Sequence, residues 1–153
     1  MVAGYCWDWL SKKDPAAWDV VLPEHDFRMR WNLTQHGSGW LAHPESISEI
    51  GCIHTCQGLE LDYVGVVIGE DLVVRDGRLV TQPEKRSRHD RSVRGWKTWR
   101  RRDREAADAA AHMIVLNTYR TLMTRGLKGC YVWAVDEGVR EWLGGQTGGP
   151  LSG

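Results

Sequence analysis

The stretch Tyr63-Val64-Gly65-Val66-Val67-Ile68-Gly69 decides the fold class. It is rich in β-branched residues, Val64, Val66, Val67 and Ile68, and is closed by glycine, and such runs form strands buried on both faces, the habit of parallel sheets covered by other layers. Before it lies a polar loop, Thr55-Cys56-Gln57-Gly58-Leu59-Glu60, and before that a short apolar run, Gly51-Cys52-Ile53-His54, led in by residues 44–50. Two neighbouring strands whose ends flank one polar loop are expected. Downstream, Leu72 to Val74 and Leu79 to Thr81 alternate around Asp76-Gly77, which predicts a hairpin.

Further from this centre, Val2 to Cys6 reads as an opening buried strand, and Trp18 to Leu33, around Pro23, as a short strand pair or an irregular connection. Gln35 to Gly39 has loop composition. From Asp103 onward, Glu105-Ala106-Ala107-Asp108-Ala109-Ala110-Ala111 opens a helix with acidic residues in its first turns, and Ala111, Val115, Tyr119 and Leu122 share one face. Gly126 is expected to stop that helix in the left-handed conformation, Leu127-Lys128-Gly129 to turn, and Cys130 to Val135 to form another buried strand. Asp136 to Leu143 reads as a last short helix. The pattern predicts an α/β three-layer domain over residues 1–143 with a mainly parallel sheet, a hairpin, a basic insertion over 75–104, and a flexible Gly-rich tail over 144–153.

At 153 residues, 42% apolar and 26% charged, the chain is sized for one soluble domain with its own core. No stretch reads as a signal peptide or a spanning helix, so the expected address is the cytoplasm, without membrane contact. The formal charge is zero, but Lys85 to Arg104 holds 10 basic and 2 acidic residues, leaving 10 basic against 18 acidic elsewhere. Neutrality is an average of two opposite fields. Trp96 and Trp99 interrupt that basic run beside Arg100, Arg101 and Arg102, a mixture suited to single-stranded nucleic acid, where rings stack on bases and cations hold phosphates. The other tryptophans, of nine in all, read as core. Cys52, His54 and Cys56 with Cys130 lack the paired doublets of a zinc site, and no metal is expected.

Two segments carry a resemblance. Cys52-Ile53-His54-Thr55-Cys56-Gln57-Gly58-Leu59-Glu60-Leu61-Asp62-Tyr63-Val64 resembles motif V of superfamily 1 helicases, departing at its end only by Leu61 for Phe. Asn117-Thr118-Tyr119-Arg120-Thr121-Leu122-Met123-Thr124-Arg125-Gly126 resembles motif VI, a helix ending in Thr-Arg before an apolar strand. From Ala3 to Ala134 the chain is similar to a bacterial family of helicase-like proteins related to the helicase part of Schlafen proteins.

That resemblance implies the second RecA-like domain (P-loop NTPase-type) of a two-domain motor driven by ATP with Mg2+. It implies that Arg125 is an arginine finger and that Gly58 and Glu60 approach the nucleotide, Glu60 through the ribose hydroxyls, with Arg120 nearby. It implies also that His54, Thr55 and Gln57 line the side that holds single-stranded DNA or RNA, or relay between the two sites. Taken singly, Arg125 would only complement a helix dipole and His54 would be a core histidine; the joint pattern is what points to function.

A motor also needs a phosphate loop ending in Gly-Lys-Ser or Gly-Lys-Thr and an acidic pair for magnesium, and neither occurs in these residues. Gly144-Gly145-Gln146-Thr147-Gly148-Gly149 lacks the lysine. The expectation is the C-terminal half of a helicase or translocase, inactive until an amino-terminal RecA-like domain supplies those parts, with Met1 marking a truncated or separately encoded half. A non-enzymatic nucleic-acid-binding module or a degenerate remnant is the alternative.

Overall fold

The computed structural model describes residues 1–32, 39–56 and 58–147. In chain order these form β1 (Val2–Ala3), β2 (Val20–Leu22), β3 (Phe27–Trp31), β4 (Glu49–Ile50), β5 (Leu61–Ile68), β6 (Leu72–Arg75), β7 (Arg78–Thr81), α1 (Trp96–Arg100), α2 (Arg104–Met123), β8 (Gly126–Ala134) and α3 (Glu137–Thr147). The fold is α/β. The β-branched run is the central strand β5, paired in parallel with β1 on one side and β8 on the other.

The region left open between a strand pair and an irregular connection is a pair: β2 runs antiparallel to β3, and β3 is parallel to β4. Gly51 then bridges Val2 in parallel. Ala3 donates its N–H to the Gly51 carbonyl at 2.9 Å and Gly51 donates to the Met1 carbonyl at 3.0 Å. Backbone hydrogen bonds thus join the two three-stranded sheets into one ribbon ordered β2-β3-β4-β1-β5-β8, parallel at every contact from β3 onward.

Alternation along β5 sorts its side chains between two cores, as a strand's period of two requires. Val64, Val66 and Ile68 pack with Val115, Tyr119 and Leu122 of α2. Val67 points the other way, into a cluster with Ala3, Tyr5, Val20, Met29, Trp31 and Ile50, edged by Trp7, Trp9 and Trp133. Trp31 and Trp40 are fully buried. The Asp103 side chain caps α2 by accepting the Ala106 N–H at 3.0 Å, and Ala107, Ala111, Val115, Tyr119 and Leu122 form its buried stripe.

Several expectations need correction. Gly126 does not cap α2 with a left-handed residue; the helix closes at Thr124, whose N–H reaches the Arg120 carbonyl, and Gly126 opens β8. A Cβ there would stand 2.2 Å from the Gly129 carbonyl oxygen, so close approach and not dihedral freedom demands glycine. Residues 127–129 are strand with a bulge, because Leu61 faces Gly126 whereas Tyr63 faces Gly129. The last helix runs to Thr147, into the segment expected as a tail. The strand expected at residues 51–54 is displaced to Glu49–Ile50, and residues 53–55 form a turn. The loop expected at Gln35 to Gly39 lies outside the described residues up to Ser38. The hairpin has the expected register, Leu72 opposite Thr81, with Asp76 and Gly77 both at positive φ, as a two-residue turn requires.

The basic segment is folded back onto the domain. Arg86, whose side chain is fully buried, donates from Nη1 to Asp71 at 2.8 Å and from Nε to Asp90. Tyr119 of α2 donates its hydroxyl to Asp71 and accepts the Gly69 N–H at 2.9 Å. Burial pushes the Asp71 carboxyl above its ordinary range while Arg86 pulls it back, and burial also raises Tyr119 and Cys6, which keep their protons. Replacing Arg86 with Ala strands two buried carboxyl groups, and about 3 to 5 kcal/mol of stability should be lost in urea unfolding followed by circular dichroism. A loss below about 1 kcal/mol would show that the segment is not anchored by this cluster.

Candidate nucleotide and nucleic-acid interfaces

The sheet has two working edges, because β1, β4, β5 and β8 all point the same way. Glu60 immediately precedes β5, and Arg125 immediately precedes β8. These strands are neighbours, so the two residues meet at the amino edge. The Arg125 carbonyl accepts the Leu61 N–H at 2.9 Å, which extends the ladder one residue past the strands. The guanidinium folds back, Nε donating to the Thr121 carbonyl at 3.0 Å and Nη1 to the Leu59 carbonyl at 3.4 Å. In this state Arg125 satisfies a helix-end carbonyl and ties motif to motif. Open α/β folds generally place ligands at the carboxyl ends of their strands, the position expected for these loops, and the pair lies at the opposite ends.

Gly58 and Glu60 are exposed. Gly58 adopts φ +78°, a left-handed turn, and no heavy atom lies within 4 Å of where its Cβ would be, leaving space beside the backbone. Arg120 is also exposed, one turn before the helix end. Gln57 lies outside the described residues.

His54 and Thr55 are separated from this edge. The loop 51–60 starts at the carboxyl end of β4 and ends at the amino end of β5, so its first half and second half face opposite edges. Thr55 is committed inside the fold: its hydroxyl accepts the Cys52 N–H at 3.0 Å and lies 2.9 Å from the Cys52 carbonyl and 3.2 Å from Asn32 Oδ1, both acceptors for its single proton. His54 is exposed on the wall of a cleft it shares with Tyr5, Trp9 and His89. No spacing in the sequence links those four; the tryptophan-rich first third is the one signal that could have drawn attention to Trp9. Cys52 and Cys56 are buried, Cys56 with its thiol pushed up by burial to about 11, and Cys130 is exposed. No group of three or more potential metal ligands stands together among the described residues.

In the basic segment Trp96 is half-buried against α2, with the Arg100 guanidinium 5.3 Å from its ring centroid, while Trp99 is 45% exposed. Arg100 donates from Nε to Asp108 at 2.7 Å, a bond that lowers the Asp108 carboxyl. Lys85 pairs with Glu70, Arg88 with Asp8 and Arg104 with Asp108. Counting Arg86, half of the segment's cations serve internal pairs; Arg101 and Arg102 are exposed and, among the described residues, have no ion-pair partner.

The fold is thus a parallel α/β sheet with Arg125 and Glu60 at its amino edge and the basic excursion at the other. A family model described as the Schlafen group 3 DNA/RNA helicase domain matches residues 1–136, and the chain belongs to that family. A protein of Saccharomyces cerevisiae described as uncharacterized is 28% identical over 120 residues, covering 77% of this chain and 26% of its own length. The chain thus spans about a quarter of that relative. No solved structure matches it. No helix among the described residues is long and apolar enough to cross a membrane.

The local bonds of Arg125 give it a structural share that can be measured apart from any activity. Arg125→Ala should cost about 1 to 2 kcal/mol in urea unfolding through its two carbonyl contacts, and Gly58→Ala about 1 kcal/mol through its left-handed backbone. An Arg125→Ala variant as stable as the parent would mean that the guanidinium does not hold these carbonyls in solution.

Proposed function

We propose that this chain is the second RecA-like domain of a superfamily 1 helicase or translocase, with residues 52–64 as motif V and 117–126 as motif VI. The supporting observation is the meeting of Arg125 and Glu60 at neighbouring strand entries, joined by the 2.9 Å bond from Leu61 to the Arg125 carbonyl. An amino-terminal RecA-like domain, in the same polypeptide or a separate one, would bring the phosphate loop and the magnesium-binding acids.

The residues present fit one wall of a nucleotide site. Open space beside Gly58, the exposed Glu60 carboxylate and the half-exposed Arg125 face the same edge. ATP with Mg2+, when bound between the two domains, would supply the phosphoryl group whose transfer releases energy. Glu60 would accept from ribose hydroxyls, with Arg120 adding positive charge nearby. The 3.4 Å contact from Arg125 to Leu59 is long for a hydrogen bond, so the guanidinium can leave it for developing phosphate charge at little cost. Single-stranded DNA or RNA would lie across the domain, with loop 51–60 linking its side, at His54, to the nucleotide side.

A second reading, a nucleic-acid-binding module without turnover, draws on α1, where Trp99 is exposed beside Arg101 and Arg102. ATP hydrolysis by the two-domain assembly separates the readings. Arg125→Ala should lower kcat by about a thousandfold or more, as loss of an arginine finger does, and the 153-residue chain alone should show no turnover. A fall of less than about tenfold, or Arg125-dependent hydrolysis by the chain alone, would overturn the assignment.

A further inference from the structure

The carboxyl edge of the sheet carries a cleft of about 710 Å³, within the range of roughly 300 to 1,000 Å³ usual for ligand sites. Its walls are Tyr5 and Trp9 from the connection after β1, with Lys12 and Lys13 from the same connection, His54 from the loop after β4, and His89 and Arg91 from the basic segment. Three segments distant in sequence therefore bring three permanent cations, two imidazoles and two aromatic rings to one hollow. No carboxylate is among its lining residues. In the adjoining hollow Asp8 accepts from Ser87 Oγ at 2.6 Å and from Arg88 at 3.0 Å, and Asp14 accepts the Ala16 N–H at 3.0 Å. Both of these acids are already engaged.

This hollow is built into the fold. Asp19, buried, accepts from the Ser11 N–H at 2.8 Å and the Trp31 N–H at 2.8 Å, clamping the connection that carries Trp9, Lys12 and Lys13 onto β3. Trp31 Nε1 also donates to the Trp7 carbonyl at 3.3 Å. On the far wall, Ser87 donates its N–H to the Tyr5 carbonyl at 3.0 Å, and the Arg86 cluster fixes the chain one residue earlier. His89 and Arg91 are thus held opposite Lys12 and Lys13. Lys12 lies 5.7 Å from the Trp9 ring centroid, leaving the ammonium at the cleft mouth with an aromatic surface beside it.

We infer that this cleft binds the backbone of a single-stranded nucleic acid, with Lys12, Lys13 and Arg91 taking phosphates and Trp9 offering a ring for a base. Cations along a groove with an aromatic platform are the general means of holding a single strand without regard to sequence, and each added phosphate contact raises salt sensitivity. The assignment rests on the helicase reading for the nature of its partner, and it names residues that the motifs do not contain. It also shifts the main strand contact away from α1, where Lys97, Arg100, Arg101 and Arg104 share their hollow with two carboxylates, Glu84 and Asp108.

Binding of a fluorescently labelled oligothymidylate of about 20 nucleotides, and of its RNA counterpart, should be measured by anisotropy at several salt concentrations. The variant K12E/K13E/R91E should lose about tenfold or more in affinity and flatten the salt slope by about 2, whereas K12R/K13R/R91K should bind as the parent does. Trp9→Leu should weaken binding without altering the salt slope. Matching unfolding curves confirm that each variant is folded. Parental affinity in the triple reversal, or loss of binding only on reversal of Arg101 and Arg102, overturns the proposal. Displacement of the strand by inorganic triphosphate at equal phosphate concentration overturns it too, assigning the cleft to a small phosphate compound. Arg125→Ala should leave strand binding intact, so a failed cleft and a failed motor assignment give different results.

Discussion

Arg86 is the residue on which the rest of the carboxyl edge depends. A guanidinium with no solvent exposure is tolerable only when its charge is met, and here Asp71 and Asp90 meet it from two sides, at Nη1 and Nε, although Nη2 has no hydrogen-bond partner among the described residues. Asp71 stands just past the end of β5, and Asp90 lies within the basic segment itself. The Tyr119 hydroxyl brings α2 into the same cluster, and Gly4 makes room for it, since a Cβ there would fall 2.2 Å from that oxygen. One charged group therefore fixes a central strand, a long helix and the excursion between them. Because a buried triad gains little over apolar packing, its contribution is better described as fixing where the excursion goes than as adding stability.

That arrangement explains what the sequence made legible and what it hid. The β-branched run of β5, the Asp76-Gly77 turn and the apolar stripe of α2 all depend on local periodicity, and each stands where the pattern put it. Gly126 failed because glycine after a helix has two physical meanings, a left-handed cap or a close backbone approach, and only the β8 bulge decides between them. Residues 144–147 failed similarly: their glycines argued for a tail, but α3 continues through them. The basic segment misled most. Ten cations within twenty residues look like one surface, and nothing local marks Arg86 as buried or Arg88 as paired with Asp8, since Asp71 and Asp8 lie outside the segment and only Asp90 is within it.

The candidate site was legible to the same degree. Motif order allowed Arg125 and Glu60 to be expected at one edge, and the parallel pairing of β5 with β8 brings their entries together. That edge is the amino one, since each residue immediately precedes its strand; what local order does not give is that β5 and β8 are neighbours, which the pairing shows. Thr55 is engaged within the fold, where its hydroxyl accepts from Cys52 and its proton is shared between the Cys52 carbonyl and Asn32. His54, its neighbour, is solvent-facing and needs no such partner to explain its position.

Loop 51–60 touches both edges, as α2 does, but through backbone bonds between consecutive turns. At its start Gly51 is held in the β-ladder by bonds to Met1 and Ala3. In its middle the Thr55 and Cys56 N–H groups return to the Cys52 carbonyl, and Cys56 is buried against the α2 core. At its end Leu59 meets the Arg125 guanidinium and Leu61 the Arg125 carbonyl. Leu59 in turn donates its N–H to the Cys56 carbonyl at 3.3 Å, so backbone bonds and one buried thiol connect the Arg125 side of the loop with its His54 side. Such a path transmits only if the loop has two discrete arrangements, and Gly58, with its left-handed backbone and open surroundings, is the point in the loop where the chain can change direction with least steric resistance.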